Sequence, residues 1–185
     1  MVKKSKGVQW FSLIGPKVFG SRELGKTFIS DPGRLIGRRI SLSIIELTND
    51  FEKYYMKFTF KVKKIEADKA FVDFDGSEVM RDYLSRMILR RIRRIDSIQD
   101  VETKDMVKIR VKGLAIIPRR IKSSIQKKIR NNIKDILKKE VQNLTLDDFI
   151  KGLMSDEIKN KVLKEARRIY PVRNFEIRKT EIISK

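Results

Sequence analysis

Apolar residues recur along most of this chain at one of two periods, and the changes of period divide it into short elements. Residues 54–62 alternate, with Tyr54, Met56, Phe58, Phe60 and Val62 on one side and Lys57, Thr59 and Lys61 on the other. That is the signature of a half-buried strand. Residues 36–47 place Ile40, Leu42 and Ile44 on one face and predict a strand ahead of the turn residues Thr48-Asn49-Asp50. Ala67-Asp68 predicts a turn into a short strand over 70–74, and the three strands then form an antiparallel meander. Asp75 followed by Glu78 reads as a capping box. The helix it would open carries Met80, Leu84, Met87, Ile88 and Ile95 on one face and Arg86, Arg90 and Arg93 on the other, giving way to a strand over 92–101.

Thr103-Lys104-Asp105 predicts the next turn, and 106–113 alternates again: Val107, Ile109 and Val111 against Lys108, Arg110 and Lys112. Pro118 ends that strand. A helix follows to about residue 141, with Ile121, Ile125, Ile129, Ile133, Ile136 and Leu137 inside an arc of about 120°. Arg120, Lys127, Arg130, Lys134 and Lys138 fall on its far side. Thr145 with Asp148 predicts a helix start, with Leu146, Phe149, Ile150 and Leu153 inward. Ser155 is the expected cap of a last helix, which has Ile158, Val162, Ala166 and Ile169 inside and stops at Pro171. Residues 172–183 predict a strand that returns to the sheet, with Phe175 and Ile177 inward and Glu176 and Arg178 outward.

Residues 1–35 lack a sustained period. Glycine and proline punctuate them, and Trp10, Phe11, Phe19 and Phe28 stand as isolated anchors, the composition of an extended arm. The predicted fold is therefore α+β: a largely antiparallel, barrel-like sheet packed with about four helices. An extended basic N-terminal arm, 1–35, precedes a single α+β body, 36–185.

Charge changes this picture from a fold to a binder. The chain has 185 residues, 44 Lys or Arg against 24 Asp or Glu, and a net charge of +20. Residues 86–130 alone hold 15 bases and 4 acids. These bases are interleaved with apolar residues at structural periods, so folding presents them on chosen faces, the footprint of a polyanion binder. Arg86, Arg90, Arg91, Arg93 and Arg94 crowd five guanidiniums into nine positions, which repel one another unless phosphates neutralise them. The candidate RNA-binding residues are Lys3, Lys4, Lys6, Trp10 and Lys17 on the arm. On the body they are the five arginines, Lys108, Arg110 and Lys112 on one strand face, and Arg119, Arg120, Lys122, Lys127, Lys128 and Arg130 around the long helix.

Candidate catalysis is thin. Cysteine and histidine are both absent, which removes thiol chemistry, the commonest acid–base group and the commonest metal ligand. No cofactor is expected. Acids cluster at Asp73, Asp75, Glu78 and Asp82, at Asp96, Asp100, Glu102 and Asp105, and at Asp147-Asp148. Such groups could hold divalent metal for a nuclease, but no role-specific constellation assembles from them. A DNA architectural protein is the other alternative. No apolar run approaches the roughly 18 residues of a membrane span, and the basic start with its short apolar patch does not make a signal peptide. These features predict a cytoplasmic protein with no membrane partner.

Several stretches carry a resemblance. Gly15-Pro16-Lys17-Val18-Phe19-Gly20, Asp31-Pro32-Gly33-Arg34-Leu35-Ile36-Gly37-Arg38 and Leu47-Thr48-Asn49-Asp50-Phe51 are followed by Arg81-Asp82-Tyr83-Leu84, Arg93-Arg94-Ile95-Asp96 and Thr103-Lys104-Asp105. Arg119-Arg120-Ile121-Lys122-Ser123-Ser124 and the run from Ile169-Tyr170-Pro171 to Lys179 complete the series. In this order they resemble the eukaryotic-type S-one family of small-subunit ribosomal proteins, also called S-three-a-e, in its archaeal form. The resemblance implies a structural, non-catalytic constituent of the small ribosomal subunit that functions in translation. It implies binding to small-subunit ribosomal RNA on the platform, near the RNA 3′ end and the messenger exit, with neighbouring ribosomal proteins and messenger RNA as partners. Two departures stand out: Met106 where the family favours Gly, so the turn need not use a left-handed residue, and Ser77 where a His is common.

Overall fold

The computed structural model describes residues 9–48 and 50–184. The fold is α+β, with eight strands, paired mostly antiparallel, and five α-helices among the described residues. The chain divides into two compact units, Met1–Gly76 and Ser77–Lys185.

In the first unit β1 (Gln9–Ile14) and β2 (Glu23–Ile29) form an antiparallel hairpin. These residues, read from the sequence as part of an extended arm, are thus strand-paired from Gln9 onward; Lys3, Lys4 and Lys6 lie outside the described residues. Only Phe11 and Leu13 of β1 are fully buried, too few inward positions to register as a period. The hairpin connection is a 3-10 turn, Lys17–Phe19, closed by Gly20 at φ 76°, whose N–H donates to the Lys17 carbonyl. The other edge of β1 runs parallel to β5 (Lys69–Val79).

β3 (Arg39–Ser43) pairs antiparallel with β4 (Met56–Glu66), which also pairs with β5. β3 is shorter than its pattern predicts, because Ile44–Thr48 turn into a helix, α1, that buries Ile44 and Leu47. The alternation on β4 is realised: Met56, Phe58, Phe60 and Val62 are buried, although Tyr54 stays exposed ahead of the strand. Phe58 and Phe60 each pack edge-on against Phe19 and Phe74 at ring-centroid distances of 5.4–6.4 Å, an aromatic core for this unit.

β5 continues to Val79, so Asp75 and Glu78 sit in a strand and cap no helix. What overrides the capping pattern is pairing within the second unit: the Ser77 hydroxyl and N–H meet Thr180 Oγ1 at 2.8 and 2.9 Å, both groups buried. The helix that follows, α2 (Arg81–Met87), has seven residues and no side-chain N-cap. It ends well before Arg90 and Arg93, so the expected helical arginine stripe does not form. The chain turns at Arg91 (φ 67°) and enters β6 (Arg93–Glu102).

β6 pairs antiparallel with β7 (Lys108–Ile117) over ten residues, from Arg93↔Ile117 to Glu102↔Lys108. Their turn does use a left-handed residue, Met106 at φ 60°, held by the Met106 N–H donating to the Thr103 carbonyl. A non-glycine residue is strained there by roughly 1–2 kcal/mol. β8 (Asn174–Ser184) returns antiparallel to β7.

One face of β6–β8 is covered by α3 (Ser123–Gln142), α4 (Leu146–Met154) and α5 (Glu157–Ile169). Ile129, Ile133, Leu137 and Val141 of α3 meet Ile95, Val101, Ile109 and Val111 in one apolar cluster, with Phe149, Val162, Ala166 and Phe175. The Thr145–Asp148 start is realised as a two-way cap, Asp148 N–H to Thr145 Oγ1 at 3.2 Å and Thr145 hydroxyl to Asp148 Oδ2 at 2.7 Å. Ser155 instead closes α4, and Asp156, at φ 60°, precedes α5 without a side-chain cap. Ile169, expected inside, is 40% exposed.

Glu176 departs most from the alternating pattern. It is 1% exposed, and Lys159 of α5 places its Nζ 2.6 Å from the carboxylate. Asn174 Nδ2 donates to the same oxygen at 3.3 Å, and the Tyr83 hydroxyl stands at 3.5 Å. Burial pushes the Glu176 carboxyl above its usual range, with Lys159 opposing. Burial pulls Lys159 down, but its bond to Glu176 together with the charges of Glu176, Asp156 and Tyr83 outweighs it and holds the group above its usual range.

Two stability predictions follow from these contacts. A Cβ at Gly113 would stand 2.8 Å from Ser97 Oγ and 2.9 Å from the Phe175 ring, so Gly113→Ala should cost about 1–3 kcal/mol in urea unfolding. Lys159→Met would strand a buried carboxylate and should cost about 3–5 kcal/mol at neutral pH. A raised folded-state pKa means that the folded protein takes up the proton first. The deficit of the Lys159→Met variant against the parent should therefore shrink as pH falls through the folded-state carboxyl pKa. A deficit independent of pH would show that Glu176 is not its source.

Candidate nucleic-acid interface

The register of β6 with β7 sorts the candidate bases into two populations. Asp100 lies directly opposite Arg110, and the guanidinium forks onto the carboxylate at 2.7 and 2.9 Å. This bond holds the Asp100 carboxyl below its usual range and raises Arg110. Lys112 Nζ binds Glu181 at 2.8 Å, and Lys179 reaches the same carboxylate at 3.0 Å; Glu181 is lowered, first by Lys112. Arg94 forks onto Asp96 at 2.8–3.1 Å. Arg130 donates to the Asp96 carbonyl at 3.0 Å, tying α3 to β6. Arg94, Arg110, Lys112 and Arg130 are therefore engaged within the fold. Among the described residues Lys108, beside the turn, is the one member of the three-base face of β7 that makes no ion pair, although Glu102 lies opposite it in the register.

The other population stands at the opposite end of the hairpin. Arg93 starts β6 facing Ile117, the last residue of β7, two residues from Arg119. This brings Arg90, Arg91 and Arg93 beside Arg119, Arg120 and Lys122, which precede α3. All six are exposed and have no acidic partner among the described residues. Lys127 and Lys128 follow on the first turns of α3, exposed as well. The first turn of α3 holds no acid, and Lys122 at the N-cap makes no side-chain cap. The free N–H groups and the positive end of a 20-residue helix dipole therefore add to the same surface. Arg86 lies in the last turn of α2, exposed. In the first unit Trp10 is 61% exposed, and Lys17 is exposed in the hairpin connection.

The acids that could have served a metal-dependent reaction are held elsewhere. Asp75 binds Arg39 at 2.7 Å, Asp73 binds Lys63 at 3.3 Å, and Glu78 lies 3.7 Å from Lys179. Asp105 accepts the Leu146 N–H at 2.8 Å. Among the described residues no group of three or more acids stands in metal-holding geometry. Among the described residues no helix is long and apolar enough to cross a membrane.

A model of the ribosomal S3Ae family matches residues 2–185. The chain belongs to the ribosomal S3Ae family. Curated relatives agree. The "small ribosomal subunit protein eS1" of Saccharolobus islandicus is 37% identical over 180 residues, covering 97% of this chain and 86% of the relative. That of Methanopyrus kandleri is 34% identical over 184 residues, with 97% and 87% covered. Membership of a ribosomal family supports a structural role in translation, and the relatives are archaeal, as the resemblance implied.

Sequence reading missed the acidic partners of Arg110 and Lys112. The turn at 103–106 did carry a signal for the first: a hairpin centred there sets Asp100 against Arg110. Because that pair is exposed, Arg110→Gln should leave the urea midpoint close to that of the parent. A large drop in the midpoint would mark the pair as structural.

Proposed function

We propose that the protein is a non-catalytic structural constituent of the small ribosomal subunit, and that it binds ribosomal RNA through phosphates at the basic end of the β6–β7 hairpin. The observation that carries this reading is the convergence of Arg90, Arg91 and Arg93 with Arg119, Arg120 and Lys122 on one exposed end, without acids to neutralise them. Arginine forks match phosphate oxygens, and a helix N-terminus free of acids favours anions. Lys127, Lys128 and Arg86 extend the same surface, and Lys108 is a separate contact at the far end. Trp10, Lys17 and the lysines at 3, 4 and 6 add contacts from the first unit and the preceding segment. The family resemblance supports a position on the platform near the RNA 3′ end and the messenger exit. There the partners are neighbouring ribosomal proteins and messenger RNA, and the location is the cytoplasmic ribosome.

Binding to a ribosomal RNA fragment across a salt series tests the reading. Each neutralised phosphate contributes about −0.9 to the slope of log affinity against log salt on duplex DNA, and about −0.7 on single strands. Arg93→Ala or Arg119→Ala should flatten the slope by up to about one unit and weaken binding on unrelated RNAs alike. Arg110→Ala should leave the slope nearly unchanged. Equal effects at Arg93 and Arg110 would refute the division of the bases, and a preference for duplex DNA of equal length would favour an architectural DNA protein.

A further inference from the structure

Trp10 and Phe28 are directly opposite in the β1–β2 register, with ring centroids 5.3 Å apart and planes tilted by 55°. They remain 61% and 60% exposed. Burying a large aromatic side chain is worth roughly 1.5–3 kcal/mol, so an aromatic pair held against itself but open to water is unusual on a folded strand pair. The opposite face of β1 is where the hairpin packs, through Phe11 and Leu13, each 3% exposed. Strand alternation therefore fixes Trp10 outward.

The surroundings indicate what the pair could hold. Ser12 is the next residue of β1 on the same face, small enough to leave the indole accessible. Opposite Ser12 stands Lys26, exposed and diagonal to Trp10, within reach of a group seated on the rings. Among the described residues Lys26 has no acidic partner, and Asp31, three residues beyond Phe28, is held by Arg34. A planar apolar surface beside a free ammonium suits a flat ring attached to a phosphate chain.

We propose that Trp10 and Phe28 form a stacking site for an unpaired nucleobase of a single-stranded RNA segment, with Lys26 on the adjoining phosphate. This rests on the RNA-binding reading and adds a second contact of different physics. Stacking on aromatic side chains tolerates any base and does not depend on salt, whereas the arginine surface binds phosphate and does. The tilt lets a base lie on one ring and meet the edge of the other.

Trp10 is the only tryptophan in the chain, so its emission reports this site alone. Full-length protein is titrated with a single-stranded oligouridylate of about ten residues, and in parallel with inorganic polyphosphate of equal charge. The oligouridylate should quench Trp10 and polyphosphate should not. Trp10→Leu and Phe28→Leu, read by anisotropy of a labelled oligouridylate, should each weaken binding roughly tenfold, with an unchanged salt slope. Trp10→Phe should keep most of the affinity. Both side chains are exposed, so the variants should melt with the parent, and Phe28→Leu should retain binding to duplex RNA. Unquenched emission at saturation, or variants that bind oligouridylate like the parent while duplex RNA still binds with a steep salt slope, would overturn the stacking site and leave the RNA reading intact. Equal weakening toward polyphosphate would also overturn it, by assigning the effect to charge. Binding to neither nucleic acid would remove both readings.

Discussion

The turn at Thr103–Met106 fixes how β6 pairs with β7, and with it the fate of the charges on both strands. The register sets Asp100 against Arg110 and brings Arg93 to the end of β7, where Arg119 and Arg120 leave the sheet. At about 3.3 Å per residue, ten paired residues hold these two ends roughly 30 Å apart. Acids gather near the turn and the C-terminal strand and pair with the bases there; at the other end Asp96 takes Arg94, and Arg90, Arg91, Arg93, Arg119, Arg120 and Lys122 keep no acidic partner among the described residues. A slip of one residue would exchange the faces of the strand and bury bases in place of Ile109 and Val111. The apolar cluster under the sheet is thus what makes the surface charge directional. The strained Met106 turn is tolerated because Thr103 and the paired strands hold it in place.

The helices serve the same end. The four consecutive inward positions of α3 bind it to β6 and β7, and Arg130 ties it further to the Asp96 carbonyl. This anchoring aims the N-terminus of α3 beside Arg119 and Arg120, so helix dipole and guanidiniums act on one region. On the other side of β8, Glu176 and Lys159 form a buried ion pair whose carboxylate pays for its desolvation only in part. Such a pair contributes little net stability while both members are present, yet it fixes which side of β8 faces α5.

How much of this was legible depended on whether local pattern and tertiary context agreed. The alternation over 54–62 and 107–111, the 3.6 period of α3 and the Thr145–Asp148 cap each state their structure, because packing reinforces what the local chain prefers. Asp75 and Glu78 carried a cap pattern, but Thr180, more than a hundred residues away, claims Ser77 and keeps the segment extended. The arginines at 90 and 93 looked helical by spacing; their helix stops at Met87. Glu176 alternates like an outward residue, and its burial shows only once Lys159, Tyr83 and Asn174 are placed around it. The hairpin at 9–29 offered only Phe11 and Leu13 as inward anchors, too few to read. For the candidate site, the sequence identified the basic stretch but not its division into paired and unpaired bases, since that division lies in cross-strand register and in Glu181 at the far end of the chain.

The central claim is that RNA meets the unneutralised end of the hairpin and not its ion-paired remainder. Mass-spectrometric footprinting of lysine and arginine reactivity, free and bound to a small-subunit ribosomal RNA fragment, tests this most directly. The account predicts protection concentrated at Arg90, Arg91, Arg93, Arg119, Arg120, Lys122, Lys127 and Lys128, with Arg110, Lys112 and Lys179 unchanged on binding. Protection centred on Arg110, Lys112 and Lys179, with Arg93 and Arg119 still reactive, would contradict it.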